Sequence, residues 1–377
     1  MSTAVAPLRI AMISYYLPSG SKIGVGYQVH ALANALVERG HSVTVFSSCG
    51  PSADARYRTE TVPLDGSNRT FKFALRLRRV DWTPFDVLHA AGDDYWLWRR
   101  RVPVHVRTFY GSCLTEARWI RGGRERLRML LLGLSEILAS LVADKAVACS
   151  ENTRRWMPWV RTVVPCGVDL SFFRPGERSS HPSVLFVGTY LRRKRGKLLA
   201  DAFEREVFAA VPDAELWMVC EDAPPRPGVK VLGRVSDDEL AELYGRAWVF
   251  CLPSTYEGFG IPYVEAMASG CPVVATRNPG AVEVTRNGQL GVIADDERLG
   301  EAIVHLLGSP DERERLAQDA LDSVSRYDLG AVAAAYESIY LRLLDAARGR
   351  WAGRRRPSSK PQPSAARSGR ARMRPRR

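Results

Sequence analysis

The sequence predicts an α/β protein built from two doubly wound parallel sheets that face each other across a cleft. Three observations carry this. Short apolar runs alternate with amphipathic helical segments from Arg9 to Pro165, the same alternation restarts at Ser183, and the stretch between them contains Pro175, Gly176 and Pro182, which break any period. Strands alternating with helices imply a parallel sheet covered on both faces, with ligands gathering at the carboxyl ends of the strands.

Taken in order, Arg9 to Ser14 reads as a buried strand, followed by a glycine-containing loop. From Tyr27 to Arg39 the residues Val29, Leu32, Ala33, Leu36 and Val37 share one helical face, Gly40 stops the helix, and His41 to Phe46 is the next strand. Further strands are expected at 86–90, 102–108, 145–149 and 162–165. The second half offers strands at 183–187, 215–220, 229–232, 248–252, 272–276 and 291–293, with helices at 197–210, 236–246, 262–269 and 297–307. A last helix, 329–346, is expected to cross back to the first half. The organisation expected is 1–174 and 175–328 as the two domains, then that helix, then a disordered basic tail from 347 to 377 rich in Arg, Pro, Ser and Gly.

Composition removes several function classes. The net charge of +13 on 377 residues suggests a nucleic-acid binder, but 12 of the 54 basic residues and none of the acidic ones fall in that tail. The body is close to neutral, so no specific nucleic-acid partner is expected. Seven scattered cysteines show neither zinc-ligand nor redox spacing, which fits reduced thiols in a cytoplasmic protein. The start lacks the pattern of a signal peptide. The longest apolar stretch, Met129 to Ala143, includes Ser135 and Glu136 and falls short of the ~20 residues of a membrane span. Preceded by Arg121, Arg124, Arg126 and Arg128, it fits a helix lying on an anionic membrane surface, at the inner face; core packing explains the apolar part equally well. The basic tail offers a second route to such a surface.

The chemistry concentrates in Pro253 to Gly270, which joins a buried strand to a helix. Glu257 lies in the loop, Pro262 suits the first helical turn, and Glu265 falls about one turn in. Gly258 and Gly260 let backbone N–H groups approach a ligand. Two carboxylates beside glycine-rich backbone make good acceptors for sugar hydroxyls.

This segment resembles the signature of retaining glycosyltransferases of the GT-B fold, family 4, in which two glutamates separated by seven residues precede a helix of small residues. Gly24-Val-Gly26, Glu38 to Val45, Phe85 to His89, Pro165-Cys-Gly-Val-Asp169, Gly188 to Gly196 and Val231 to Val235 resemble the family in the same order, so the resemblance spans residues 9 to about 346. It implies a nucleoside-diphosphate sugar as co-substrate, a hydroxyl acceptor held mostly by the first domain, and no cofactor or metal. Glu265 would take the ribose hydroxyls. Glu257 and the backbone of Gly258, Phe259, Gly260 and Ile261 would hold the sugar, and Gly26 would bring backbone to the diphosphate. Arg195, with Lys194 and Arg193 beside it, would supply positive charge to the leaving phosphates, and Arg234 and Val235 would lie along the base. In such a reaction the acceptor arrives on the face the leaving group departs from, and the phosphate oxygen helps to take its proton.

Three positions depart from the family. Thr189 stands where Arg is frequent, Tyr110 where a histidine touches the sugar, and Cys166 where Asn is common. A hydrolytic or epimerising relative and a non-catalytic nucleotide-sugar binder therefore stay open. A dehydrogenase does not fit: Gly24-x-Gly26-x-x-Val29 lacks the third glycine, and the second strand ends in Ser47-Ser48 without an acid for a ribose.

Overall fold

Strand β1 (Arg9–Ile13) is buried from Ile10 onward, as a central parallel strand must be, and it seeds the first sheet. Around it lie β2 (Ser42–Ser47), β3 (Arg58–Thr61), β4 (Val87–Ala90), β5 (Val104–Phe109), β6 (Lys145–Ala148) and β7 (Thr162–Val163). They pair in parallel in the order β3-β2-β1-β4-β5-β6-β7. The helices of this half are α1 (Gly24–Glu38), α2 (Arg69–Leu77), α3 (Cys113–Glu116), α4 (Gly123–Val142) and α5 (Glu151–Trp156). The computed structural model describes residues 6–20, 24–66, 69–98, 102, 104–117, 120 and 122–354. Arg121 and the tail beyond Arg354, both invoked above, lie outside them.

The second sheet repeats the plan with β8 (Ser183–Val187), β9 (Glu215–Val219), β10 (Val229–Val231), β11 (Val249–Leu252), β12 (Val273–Thr276) and β13 (Val292–Ala294), ordered β10-β9-β8-β11-β12-β13. In both halves the strand order reverses beside the first strand, which opens a crevice at the carboxyl edge. Its helices are α6 (Gly196–Ala202), α7 (Phe208–Ala210), α8 (Asp237–Arg246), α9 (Ile261–Ala268), α10 (Pro279–Val284), α11 (Leu299–Gly308) and α12 (Pro310–Ser323), with a π turn over Phe203–Val207 joining α6 to α7. This is the architecture the alternation predicts.

Helices α2, α3, α5, α10 and α12 were not legible in the pattern, α3 and α5 being only four and six residues long. Helix α2 buries only Phe73, Ala74 and Leu77, α10 is short, and α12 is so rich in Arg, Asp and Glu that its buried Leu316, Ala317 and Ala320 do not stand out. Ser309-Pro310-Asp-Glu is nonetheless a helix-start signal.

Helix α13 (Leu329–Arg354) packs its Val332, Ala333, Tyr336, Ile339, Tyr340 and Leu344 into the first domain's core, with Leu32, Leu36 and Val45. The helix continues past Ala346, which corrects the expected start of a disordered tail at 347: Ala347 and Arg348 favour helix and no proline intervenes before Pro357. The outgoing and returning chains run side by side at the junction, where Val168 N–H donates to Tyr327 O at 2.8 Å and Leu329 N–H to Val168 O at 3.0 Å. Gln28 of α1 clamps Gly167 there through both its amide atoms, each at 2.9 Å.

Candidate active site

The loop between β11 and α9 leaves the second sheet at its carboxyl edge. Gly260 caps α9 at φ 98°, and a Cβ there would lie 2.5 Å from Tyr263 Cδ2, so only glycine turns this corner. The turn places Glu257 just before the helix, almost wholly buried. Ser254 Oγ donates to its Oε1 at 2.6 Å, Lys194 Nζ lies 2.8 Å from the same oxygen, and Arg193 Nη1 lies 2.8 Å from Oε2. Burial opposes ionisation of Glu257, yet Lys194 and Arg193 hold its carboxyl below the usual range.

The cations come from a loop after β8 that takes an unfavourable backbone to present them. Arg192 and Arg195 both adopt left-handed φ, 65° and 54°. The loop is stapled to the Glu257 loop: Thr255 N–H donates to Arg193 O at 3.0 Å, Arg193 Nη1 to Tyr256 O at 2.5 Å and Arg195 Nε to Pro253 O at 2.6 Å. Strain held by surrounding contacts in this way is the mark of a preorganised site. Burial pushes the Lys194 ammonium below its ordinary pKa, with Glu257 opposing the shift.

The three cations do not play equal parts. Arg195 donates to Asp296 at 2.5 and 3.0 Å and to Thr276 Oγ1 at 2.9 Å, besides Pro253, so its charge is matched inside the second domain. Lys194 and Arg193 are the pair gathered on Glu257. Thr189 Oγ1 is turned onto Leu191 O at 2.9 Å.

Glu265 lies on α9 and accepts from Tyr244 Oη at 3.0 Å. Burial pushes its pKa up to about 7, while Tyr244 and the nearby Lys194 pull the other way. Lys194 thus sits within electrostatic reach of both glutamates. Arg234 is exposed and paired with Glu221, and Val235 beside it is half-buried. Among the described residues no group of three metal-ligating side chains comes together.

The first domain closes over this apparatus. A Cβ on Gly258 would lie 3.2 Å from Tyr110 O, and Ser150 Oγ donates to Gly258 O at 2.9 Å. The Glu283 carboxylate of α10 takes the N–H groups of Glu151 and Asn152 at 2.9 and 3.2 Å. Gly24 approaches Ile261 Cδ1, with its Cβ position 3.9 Å away, and a Cβ on Gly26 would lie 3.1 Å from the Tyr16 backbone and 3.2 Å from Leu17 Cα. Tyr110 touches both domain cores, and burial, then Tyr336, raises its phenol well above the ordinary value. Tyr27 of α1 feels Asp237 and Arg234 across the gap.

Ser150, Tyr27, Asp296 and Gly280 belong to the site and escaped the sequence reading. Gly280 N–H donates to Glu257 O at 3.0 Å, and a Cβ there would fall 2.6 Å from Phe259 O. Asn278-Pro279-Gly280 was the available signal, an N-cap followed by proline; the Asn278 side chain does accept from Ala281 N–H at 3.0 Å.

Two facing Rossmann-type domains, with a glutamate–lysine–arginine knot at the edge of one and the first turn of the other's leading helix opposite, are the arrangement of the GT-B fold. Comparison with known proteins agrees. The model of Glycosyltransferase Family 4 matches residues 23–172 and that of Glycosyl transferases group 1 matches residues 181–309. The chain belongs to the family 4 glycosyltransferases of GT-B fold. It is 32% identical over 261 residues to the MMP alpha-(1->4)-mannosyltransferase of Mycolicibacterium hassiacum, a match covering 64% of this chain and 59% of that protein. To the phosphatidyl-myo-inositol mannosyltransferase of Mycobacterium leprae it is 29% identical, over 88% of this chain and 96% of the relative. Among solved structures, sucrose-phosphate synthase from Thermosynechococcus elongatus superposes with a TM-score of 0.74 at 20% identity, covering 90% of this chain and all of that one. The Anabaena protein HepE, solved in complex with UDP and glucose, gives 0.69 at 17% identity, covering 88% and 99%.

Proposed function

We propose that the protein transfers a sugar from a nucleoside-diphosphate sugar to an acceptor hydroxyl with retention of configuration and without a metal ion. The observation that carries this is the pair of cations, Lys194 and Arg193, gathered on buried Glu257 at the mouth of the second domain. In the transfer, the bond from the anomeric carbon to the diphosphate oxygen breaks while the acceptor oxygen closes on the same face, and the acceptor's proton passes to the departing phosphate oxygen. Positive charge grows on the sugar ring and negative charge on the diphosphate. Lys194 and Arg193 meet the negative charge from a fixed position, so no reorganisation is needed as it develops. Glu257 keeps both cations in place and accepts sugar hydroxyls, and ionised Glu265 accepts the ribose hydroxyls. The UDP and glucose bound by HepE and the mannosyl transfer of the mycobacterial relatives support a hexose on a nucleoside diphosphate. The acceptor would meet the donor beneath Tyr110.

A thermal-shift panel of UDP, GDP, ADP and dTDP, followed by NMR of the product made from the matching sugar conjugate, tests the reading. The expected result is a selective rise in melting temperature and a product that keeps the donor's anomeric configuration. An inverted product would sink retention, and no shift with any nucleotide would sink donor binding. Nucleotide-sugar binding with no transfer across an acceptor panel would favour the non-catalytic reading, which Thr189 turned onto Leu191 and the buried Tyr110 phenol recommend.

A further inference from the structure

Helix α4 leaves one face without a partner. Leu127, Leu130, Leu131, Leu134, Leu138 and Leu141 are between 40% and 72% exposed. At 100° per residue they fall within one narrow stripe, about 21 Å long at 1.5 Å rise per residue. The opposite face is the packed one: Met129, Gly133, Ala139 and Ser140 are buried, and a Cβ on Gly133 would meet Leu114 of α3 at 2.5 Å. Soluble surfaces scatter single leucines, whereas six in a row mark a binding face.

We propose that this face of α4 docks the protein on an anionic lipid bilayer, with the leucines among the acyl chains and the first turn's arginines among the phosphates. The claim is independent of which sugar is transferred.

Charge placement favours a bilayer. Arg124 and Arg126 are exposed at the start of the stripe, and Arg128 beside them is bound to Glu125 within the helix. The helix's other acid, Glu136, faces inward and accepts from Cys113 N–H at 3.0 Å. Trp159, 45% exposed, braces the packed side of the helix's far end by donating to Ser140 Oγ at 2.8 Å. Exposed leucines led by free arginines, with both acids of the helix engaged elsewhere, are what a helix lying in the headgroup region requires. Among the described residues no helix is long and apolar enough to cross a membrane, so the contact is with one leaflet.

A second copy fits less well. Pairing two stripes in parallel sets Arg124 and Arg126 against their like, and pairing them antiparallel sets them against the Leu138–Leu141 end. The location also matters. Arg128 is within electrostatic reach of Tyr16, whose backbone meets Gly26 at the first-domain lip of the cleft. Docking through α4 therefore brings that lip to the lipid surface.

The test is co-sedimentation of the full-length protein with phosphatidylcholine vesicles, with and without a share of phosphatidylglycerol. Wild type is expected on the mixed vesicles, less so at high salt. Leu134→Asp with Leu138→Asp should weaken partitioning about tenfold or more, and Arg124→Ser with Arg126→Ser should weaken it severalfold. Leu134→Ser with Leu138→Ser, matched to wild type in melting temperature and nucleotide-induced shift, separates lost docking from lost folding. Four results would overturn the proposal: wild type that stays in the supernatant, leucine variants that bind as well as wild type, arginine variants that bind as well as wild type, or a wild-type dimer that these variants dissolve without any vesicle binding.

Discussion

The two sheets share one strand order but are furnished in opposite ways at their carboxyl edges. In the second domain the edge carries charge: Lys194 and Arg193 on Glu257, and Arg195 on Asp296. In the first domain the edge buries its charge, with Arg107 and His105 on Asp94, and beside that cluster runs a neutral chain. His89 is bonded to Tyr340 Oη at 2.6 Å and to Thr108 Oγ1 at 2.8 Å, and Thr108 meets Tyr336 Oη at 2.9 Å. Burial drives His89 down to a pKa of about 3, so it stays neutral at any working pH. One edge is built to meet a leaving anion, and the other is built to anchor a helix from the far end of the chain.

The largest expected effect breaks the charged edge. Lys194→Ala should lower turnover by about 100- to 1000-fold, the usual cost of removing one preorganised donor from a developing negative charge. Steady-state assays of nucleotide release would show it, and activity within a few-fold of wild type would transfer the role to Arg193 or Arg195.

The second effect sharpens the comparison through pH. The Glu265 pKa of about 7 means the carboxylate proposed to receive ribose hydroxyls is mostly protonated at pH 6 and mostly ionised at pH 8. Nucleotide affinity should therefore weaken about tenfold from pH 8 to pH 6, since the ionised fraction falls by about that factor. In Glu265→Gln it should be flat. The same raised pKa acts on folding: the folded state holds this proton more tightly than the unfolded chain, so the Glu265 contribution to stability is lost as pH rises from about 4.5 through 7. Calorimetric titration of the nucleotide at both pH values checks the first point, and a wild-type affinity that rises on acidification would contradict it.

The smallest effect falls on the neutral chain and should leave chemistry alone. Tyr340→Phe removes the partner of His89 Nδ1 inside the core and should cost about 1–3 kcal/mol of stability. Turnover at a temperature well below melting should stay unchanged. Denaturant unfolding measures the first and the transfer assay the second; lost turnover with unchanged stability would give the neutral chain a catalytic part.

The same contrast explains what could be read from sequence. Second-domain chemistry is local: Glu257, Gly260, Pro262 and Glu265 lie in one loop and helix, and their spacing alone indicates a strand–loop–helix site. The cations reach Glu257 from a loop more than sixty residues upstream, and which of three neighbours faces it depends on left-handed backbone at Arg192 and Arg195 that composition does not announce. First-domain chemistry is non-local throughout. The resemblance places Tyr110 at the sugar-touching position, but that Gly258 approaches its carbonyl is known only from the fold, and Ser150 reads as an ordinary helix cap until Gly258 O is seen to accept from it. Helix α13 was visible as a periodic stretch, but its tyrosines have meaning only beside His89 and Thr108.

That helix has a consequence for how the chain matures. His89 waits for a hydroxyl 251 positions further along, and Val332, Tyr336 and Ile339 complete the cluster that holds Leu32, Leu36 and Val45. The first domain precedes the second in the chain yet cannot finish its interior until the second has been made. A chain halted after Tyr327 would hold a completed second domain beside an unfinished first one, with an apolar trough open to solvent. Assembly of the first domain thus waits on α13, which acts as its keystone from beyond the second domain.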